Sequence, residues 1–390
     1  MLDWLIIGGG IHGTHLSLYL TQRKGVAPHC IRVLDPHDEP LALWRHFTAN
    51  TGMEFLRSPG AHHLHYDPFA LATFARVQSN QHLARFIEPY GRPALALFNA
   101  YSERLIERHK LDALRVQGRA HGLTRLRDGW RVVSEHGALE ARRVVLCIGN
   151  EKPHWPDWAA GLRAAGAPVY HIFDPRFSRE ALPPGIRATV VGGGITAVQT
   201  ALSLSERAQV TLLMRHAPRI YPFDADTGWI TPQYLEGFHR ERDYVRRRAM
   251  IAAARHRGSM PPDVARELER AQSVGMISVR LAAVQDADVW TQASEPPITI
   301  QLSDGTGHHA DVLILATGFE LTRPGGGWLD TAIHDHGLPT APDGYPLLDA
   351  GLLWTDGLYV TGPLAELEVG PVSRNFIGAR LAAERIGAAI

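Results

Sequence analysis

What most limits this chain is a run of glycines set between a short apolar strand and a helix, found at the start and again near the middle. Leu5, Ile6 and Ile7 form an apolar run, Gly8, Gly10 and Gly13 follow in G-x-G-x-x-G spacing, and residues 14–20 read as a helix. Each glycine has its own physical role. The first makes a tight turn, the second lets backbone approach a pyrophosphate, and the third lets helix and strand pack closely. The helix amino terminus adds unpaired N–H groups and the positive end of its dipole. A strand over 29–35 follows, and Asp35 stands where an acidic residue would bind ribose hydroxyls. Strand, turn, helix, strand and acid in that order point to a dinucleotide site.

The second copy runs from an apolar strand over 188–191 through Gly192, Gly194 and Ala197 into a helix over 198–204. Its next strand, 209–214, ends in Arg215 rather than an acid, with Arg219 close behind. An acid there would accept from a 2′-hydroxyl, whereas an arginine fork matches a 2′-phosphate. The plain alternative for Arg215 is a solvated strand end. The pair of turns reads as FAD at the first and NADPH at the second.

Composition narrows the class. At 390 residues the chain is roughly two to three domains long. Lys+Arg and Asp+Glu are both 40, so no general basic field suggests nucleic acid or an anionic membrane. Cys30 and Cys147, both expected on strands, are the only cysteines; without a C-x-x-C there is no dithiol or zinc signature. The first strand begins beside Met1, leaving no room for a signal peptide, and no apolar run reaches about 18 residues. The expectation is a soluble, cytoplasmic protein; the sequence does not address its oligomeric state.

The remaining stretches are placed around the two turns. Residues 36–68 read as a long irregular loop near the ligand crevice, and loops of that length are usually functional. Trp44, Met53 and Arg57 are the candidates there for lining the flavin. His62, His63 and His65 fit no common metal spacing and are read as surface or flavin-side residues. Helices are expected over 67–85 and 93–105. Apolar strands end at Gly149, at Ala316-Thr317-Gly318 and before Gly362, and Gly149, Gly318 and Gly362 are expected beside cofactor. A closing helix over 372–386 would bring Val372 to the flavin in its first turn. Residues 220–272 lie outside the minimal dinucleotide fold. They hold a polar-aromatic loop around Asp224 and Trp229, expected to help hold NADP⁺ or substrate, and helices over 234–255 and 262–271. The run Arg246-Arg247-Arg248 is read as a solvated helix face rather than an anion site.

The fold class that follows is α/β, with two Rossmann-like dinucleotide-binding domains and the NADPH domain inserted in a discontinuous FAD domain. The limits are 1–155 for the first part of the FAD domain, 156–278 for the NADPH domain with its helical insertion 220–272, and 279–390 for the second part.

The turns Gly8-Gly9-Gly10-Ile11-His12-Gly13 and Gly192-Gly193-Gly194-Ile195-Thr196-Ala197, with Ala316-Thr317-Gly318, resemble the two-dinucleotide-domain flavoprotein monooxygenases. Trp44-Arg45 and the stretch Met53 through Phe55-Leu56-Arg57 resemble the flavin-side loop of the lysine and ornithine N-hydroxylating branch, with Arg45 where that branch has histidine. The resemblance implies an FAD- and NADPH-dependent oxidoreductase that hydroxylates a small nucleophilic substrate, an amine or amino acid, through a flavin C4a-hydroperoxide. Its partners would be that small molecule and O₂, without metal, nucleic acid or membrane. The residues themselves leave two alternatives open. One is an NADPH-dependent flavin reductase passing electrons to a quinone, a small acceptor or a protein partner; the other is a non-catalytic dinucleotide-binding regulator.

Overall fold

The computed structural model describes residues 1–150, 152–289 and 298–389. Strand Leu2–Ile7 is buried from Trp4 onward, as an apolar run at the centre of a parallel sheet with both faces covered must be. It pairs in parallel with Ile31–Asp35 on one side and with Gly137–Leu146 on the other. Arg115–Gln117 and Leu358–Val360 extend this first sheet in parallel, and Leu353–Thr355 closes one edge antiparallel. The first half of Gly137–Leu146 also completes an antiparallel meander with Ala120–Leu126 and Gly129–Ser134.

A second sheet has five parallel strands in the order Ile277–Leu281, Gln209–Met214, Arg187–Val191, Val312–Leu315, Val169–His171. It repeats the plan of the first, with its own meander of Val284–Val289, Ile298–Leu302 and Gly307–Ala310 leading into Val312–Leu315. Trp290, which follows the first of these strands in the sequence, lies outside the described residues. Each glycine turn stands at the carboxyl end of its central strand, where doubly wound sheets bind ligands. The second sheet (169–315) is inserted between the strands 2–146 and 353–360 of the first.

The expected return to the first domain at residue 279 is corrected by strand pairing. Ile277–Leu281 and Val312–Leu315 both belong to the second sheet, through Val210↔Ile277 and Ala188↔Val312, and the first sheet resumes only at Leu353–Thr355. The reason is the repeated plan. Each fold ends its fourth strand in an apolar run and a glycine, so Cys147-Ile148-Gly149 and Ala316-Thr317-Gly318 look alike although they serve different sheets. The two crossings between the sheets run side by side. The His154 N–H donates to Gly318 O at 2.9 Å and the Glu320 N–H to Lys152 O at 3.0 Å, around the bridge Pro153–Phe319.

The insertion is also smaller than expected. Helix Pro262–Ser273 buries Val264, Ala265, Leu268 and Ala271 in the core of the second sheet, so it is a crossover helix of that fold. What is added is the pair Pro232–Arg240 and Tyr244–Ala254, which the pattern joined as one helix. Asp243 separates them by capping the second, accepting from the Val245 and Arg246 N–H groups. They form a separate core in which Trp229, Phe238 and Ile251 meet Tyr345, Leu367 and Val372. The insertion therefore rests on the stretch before the carboxyl-terminal helix.

Smaller differences have local causes. The loop 36–68 contains helix Ala42–Thr51, a stretch without Gly or Pro, which Gly52 ends at φ +66°. The helix expected over 67–85 divides into Ala70–Arg76 and a 3₁₀ turn Gln78–Leu83, and the one expected over 93–105 is Leu95–His109. Cys30 sits in the 3₁₀ turn Pro28–Cys30 and Cys147 just past the end of its strand, so neither is on a strand. The closing helix is Phe376–Ala388; Val372 lies before it in the separate turn Pro371–Arg374.

Candidate functional site

At the first turn two glycines are enforced by backbone. A Cβ on Gly8, at φ +106°, would lie 2.6 Å from the Cys147 carbonyl oxygen, and one on Gly13 would lie 1.8 Å from the Gly8 oxygen. Gly10 differs. It is exposed, and a Cβ there would meet nothing within 4 Å, which leaves an open cradle at the amino terminus of helix Ile11–Gln22. That is the space a pyrophosphate needs. Asp35 is buried behind the turn, where Oδ2 accepts the Gly9 N–H at 2.6 Å and Oδ1 the His37 N–H at 2.9 Å. The carboxylate thus fixes the turn, and its remaining lone pairs are still open to a ribose.

Of the other expected residues, Gly362 meets the first motif directly. Gly362, at φ +64°, faces the His12 ring; a Cβ on it would lie 3.8 Å away. His12, inside the first motif, shares a 2.7 Å hydrogen bond between Nδ1 and Thr361 Oγ1. Its enclosed Nε2 has no partner among the described residues, and burial holds its pKa down at about 4. Gly149 is exposed just beyond Cys147. The Trp44 indole N–H donates to Asn99 Oδ1 at 3.1 Å, and its ring packs on Phe98 and on Phe376, the first residue of the closing helix. Met53 is half-buried where the chain leaves helix Ala42–Thr51. Val372 is committed to the core under the insertion.

Arg57, expected at the flavin, is tied to the second domain. Its guanidinium donates to the carbonyls of Tyr221 (2.8 Å), Pro222 (3.2 Å) and Phe223 (2.6 Å) and to Ser259 Oγ (2.9 Å). Burial lowers its pKa to about 10. Its donors are occupied by the backbone leading out of and back into the second domain. Nearby, Arg92 makes a two-toothed ion pair with Asp263, at 2.5 and 3.2 Å, across the same boundary.

The second turn repeats the first at one glycine and departs at the next two positions. A Cβ on Gly192 would lie 2.6 Å from the Ala316 carbonyl oxygen, matching Gly8 against Cys147. Ala197 stands where the first turn has Gly13. At Gly194, however, a Cβ would lie 3.2 Å from Gly258 Cα and 3.8 Å from Ser259 O. Gly193 faces the His216 ring. Arg215 is exposed at the end of its strand, and exposed Arg219 donates to Arg257 O at 3.4 Å. Gly318 lies past Ala316, and its carbonyl accepts from His154 on the outgoing crossing, so it stands where the two crossings between the sheets run side by side.

Sequence reasoning missed one charged cluster entirely. Glu366 is 1% exposed, accepts two hydrogen bonds from Arg374 (2.8 and 3.0 Å), pairs with Arg248, and has Arg255 at 3.8 Å. Burial pushes its pKa up, but the Arg374 hydrogen bonds and the three guanidinium charges outweigh this and hold it below the usual range. Arg247 is also buried and donates to Glu241, His239 and Leu367 carbonyls. Of the run Arg246–Arg248, only Arg246 is the solvated residue expected. Three arginines on one helix look like surface in a sequence; here two of them nail the insertion to residues 366–368. The loop at 224–230 joins this contact, since Asp224 accepts from Asn375 Nδ2 at 3.1 Å and Trp229 packs against Gly370. It lies over the stretch before the closing helix, and the Asp224 carbonyl also accepts the His256 N–H at 2.8 Å.

The loop histidines are internal ties. His63 is 1% exposed, accepts the His65 N–H, and burial lowers its pKa to about 3. Among the described residues no group of three or more His, Cys, Asp or Glu could hold a metal, and no helix is long and apolar enough to cross a membrane.

Two family models match the chain. A model of FAD-NAD(P)-binding domains matches residues 5–151, and a model described as L-lysine 6-monooxygenase/L-ornithine 5-monooxygenase matches residues 124–321. No curated protein matches the sequence. Among solved structures, the fold is shared with ornithine hydroxylase PvdA from Pseudomonas aeruginosa (TM-score 0.75, 16% identity, covering 100% of this chain and 98% of that one). It is shared equally with L-lysine 6-monooxygenase from Pseudomonas syringae (TM-score 0.72, 19% identity, 100% and 99% covered). The ornithine N-hydroxylase KtzI of Kutzneria sp. 744, solved with reduced FAD, NADP⁺ and L-ornithine, gives a TM-score of 0.75 at 16% identity, with 100% and 98% covered. The family match decides between hydroxylation and the reductase alternative. With two glycine turns on two sheets and a family model spanning half its length, the chain is an FAD- and NADPH-dependent monooxygenase of the L-lysine 6-monooxygenase/L-ornithine 5-monooxygenase family.

Proposed function

We propose that the protein hydroxylates the side-chain amine of a small amino acid of the lysine and ornithine class, with FAD held at the first turn and NADPH at the second. The observation that supports this arrangement is the pair of glycine turns, one at the carboxyl end of each sheet, of which the first is an open cradle. Gly8, Gly10 and Gly13 would admit the FAD pyrophosphate to the amino terminus of helix Ile11–Gln22, whose N–H groups and dipole favour its charge. Asp35 would keep the turn in shape while accepting from the ribose. Gly192, Gly194 and Ala197 would receive the NADPH pyrophosphate, with Arg215 and Arg219 for the 2′-phosphate. When bound, FAD accepts hydride from NADPH and supplies the oxygen chemistry.

The chain's own share is positioning and exclusion of water. Trp44, fixed by Asn99, Phe98 and Phe376, would form one wall beside the flavin. The insertion, tied through Arg248 to Glu366, covers residues 366–372 and would keep water from the reacting centre. The neighbour solved with L-ornithine supports an amino acid as the occupant. The experiment is NADPH oxidation by the purified yellow protein against a panel of lysine, ornithine, simple amines, ketones and thioethers, with hydroxylamine product quantified. The proposal expects lysine or ornithine to give one hydroxylamine per NADPH. Turnover coupled only to a ketone or thioether would overturn the amine assignment.

A further inference from the structure

Two middle glycines with the same role have different surroundings. The direction a side chain would take from Gly10 is empty, whereas from Gly194 it runs into Gly258 Cα at 3.2 Å, Gly258 C at 3.5 Å and Ser259 O at 3.8 Å. A pyrophosphate approaches its turn through that space. As the chain stands, residues 258–259 occupy the place the second pyrophosphate would take.

The covering segment is held from its far side. Ser259–Met260 pairs in parallel with Arg219–Ile220, and the Tyr221 ring stacks on His256 at 3.8 Å with the planes 7° apart. Arg57 reaches across from the first domain, donating to Ser259 Oγ and to three successive carbonyls, 221–223. Gly258, at φ +65°, is a position that favours glycine and lets the strap bend over the turn. The strap also brings exposed Arg257 beside Arg219.

We propose that residues 256–260 are a strap over the coenzyme turn, and that Arg57 is the positioning residue that holds it down. NADPH docks by lifting the strap from Gly194, and the hydrogen bonds from Arg57 to Ser259 are given up as it moves. This rests on the reading that the second turn takes NADPH. A coenzyme that must first open a closed form binds more weakly by the fraction already open, so loosening the latch tightens apparent binding.

The test uses flavin-loaded enzyme and NADP⁺. Calorimetry should give an Arg57→Met variant that keeps its flavin and binds NADP⁺ about three- to tenfold more tightly than the parent. Arg57→Lys should fall between the two. Ser259→Ala, which removes the Arg57 bond to Ser259 Oγ and the bond that hydroxyl donates to His256 O, and spares the carbonyl contacts, should shift binding the same way by less; it also serves if Arg57→Met does not fold. In the parent, hydrogen exchange over 256–260 and 219–223 should become faster when NADP⁺ saturates. Binding with unchanged or slower exchange in 256–260, or weaker or unchanged binding by Ser259→Ala and Arg57→Met, would overturn the strap and leave the coenzyme assignment intact. Failure of the parent to bind NADP⁺ at all would overturn both.

Discussion

The two glycine turns are made from the same constraint and finished differently. At the first glycine they are superposable in chemistry, because Gly8 and Gly192 each lie against the carbonyl oxygen that ends the neighbouring strand, at Cys147 and Ala316. At the third position they part. Gly13 has no room for a methyl group, while Ala197 carries one and is fully buried. At the second position they part again, with Gly10 open and Gly194 covered by the Gly258 segment. The comparison teaches that the motif's spacing fixes the turn, whereas the neighbours of its middle glycine decide access. An open turn suits a cofactor that stays bound, and a covered one suits a coenzyme that comes and goes.

The third position gives the largest way to break that comparison. Gly13→Ala sets a methyl against the Gly8 backbone, which cannot swing aside like a side-chain tip, so at least about 3 kcal/mol of stability should be lost. Urea unfolding should show this together with loss of bound flavin. The mirror change, Ala197→Gly, should cost only about 1 kcal/mol, the ordinary price of glycine in a helix. Equal effects from the two would mean the turns are packed alike after all.

A smaller effect separates the turns by chemistry. The first is followed by Asp35 and the second by Arg215, exposed at the strand end. Arg215→Ala should raise KM for NADPH about tenfold and leave NADH unchanged, since only NADPH carries the phosphate that a charge-assisted hydrogen bond would meet. Steady-state kinetics with both coenzymes checks this. Equal weakening of both would make Arg215 part of the fold.

What was legible in the sequence follows from range. Both turns could be read because strand, glycine spacing and helix fall on consecutive residues, although the carbonyls that crowd Gly8 and Gly192, at Cys147 and Ala316, lie far along the chain. The inserted plan could be read for the same reason. The point of return could not, because an apolar parallel strand such as Val312–Leu315 does not announce its partner, and only its pairing with Arg187–Val191 assigns it. Arg247 and Arg248 read as a solvated face because arginine is usually a surface residue, and the Leu367 carbonyl and Glu366 carboxylate that hold them lie more than a hundred positions away. The cover over Gly194 left one trace, the glycine of Arg257-Gly258-Ser259, which nothing local explains.

The central claim we propose is that the first turn carries FAD in the open space over Gly10, and that the second carries NADPH in the space freed when residues 256–260 lift from Gly194. The most direct measurement is a crossed pair, Gly10→Val and Gly194→Val, each assayed for flavin absorbance per protein and for NADP⁺ binding by calorimetry. A side chain on Gly10 meets no protein atom within 4 Å, so that variant should fold, lose its flavin and still bind NADP⁺. Gly194→Val should keep its flavin and lose NADP⁺. Full flavin in Gly10→Val, or loss of flavin with retained NADP⁺ binding in Gly194→Val, would contradict the assignment of the two turns.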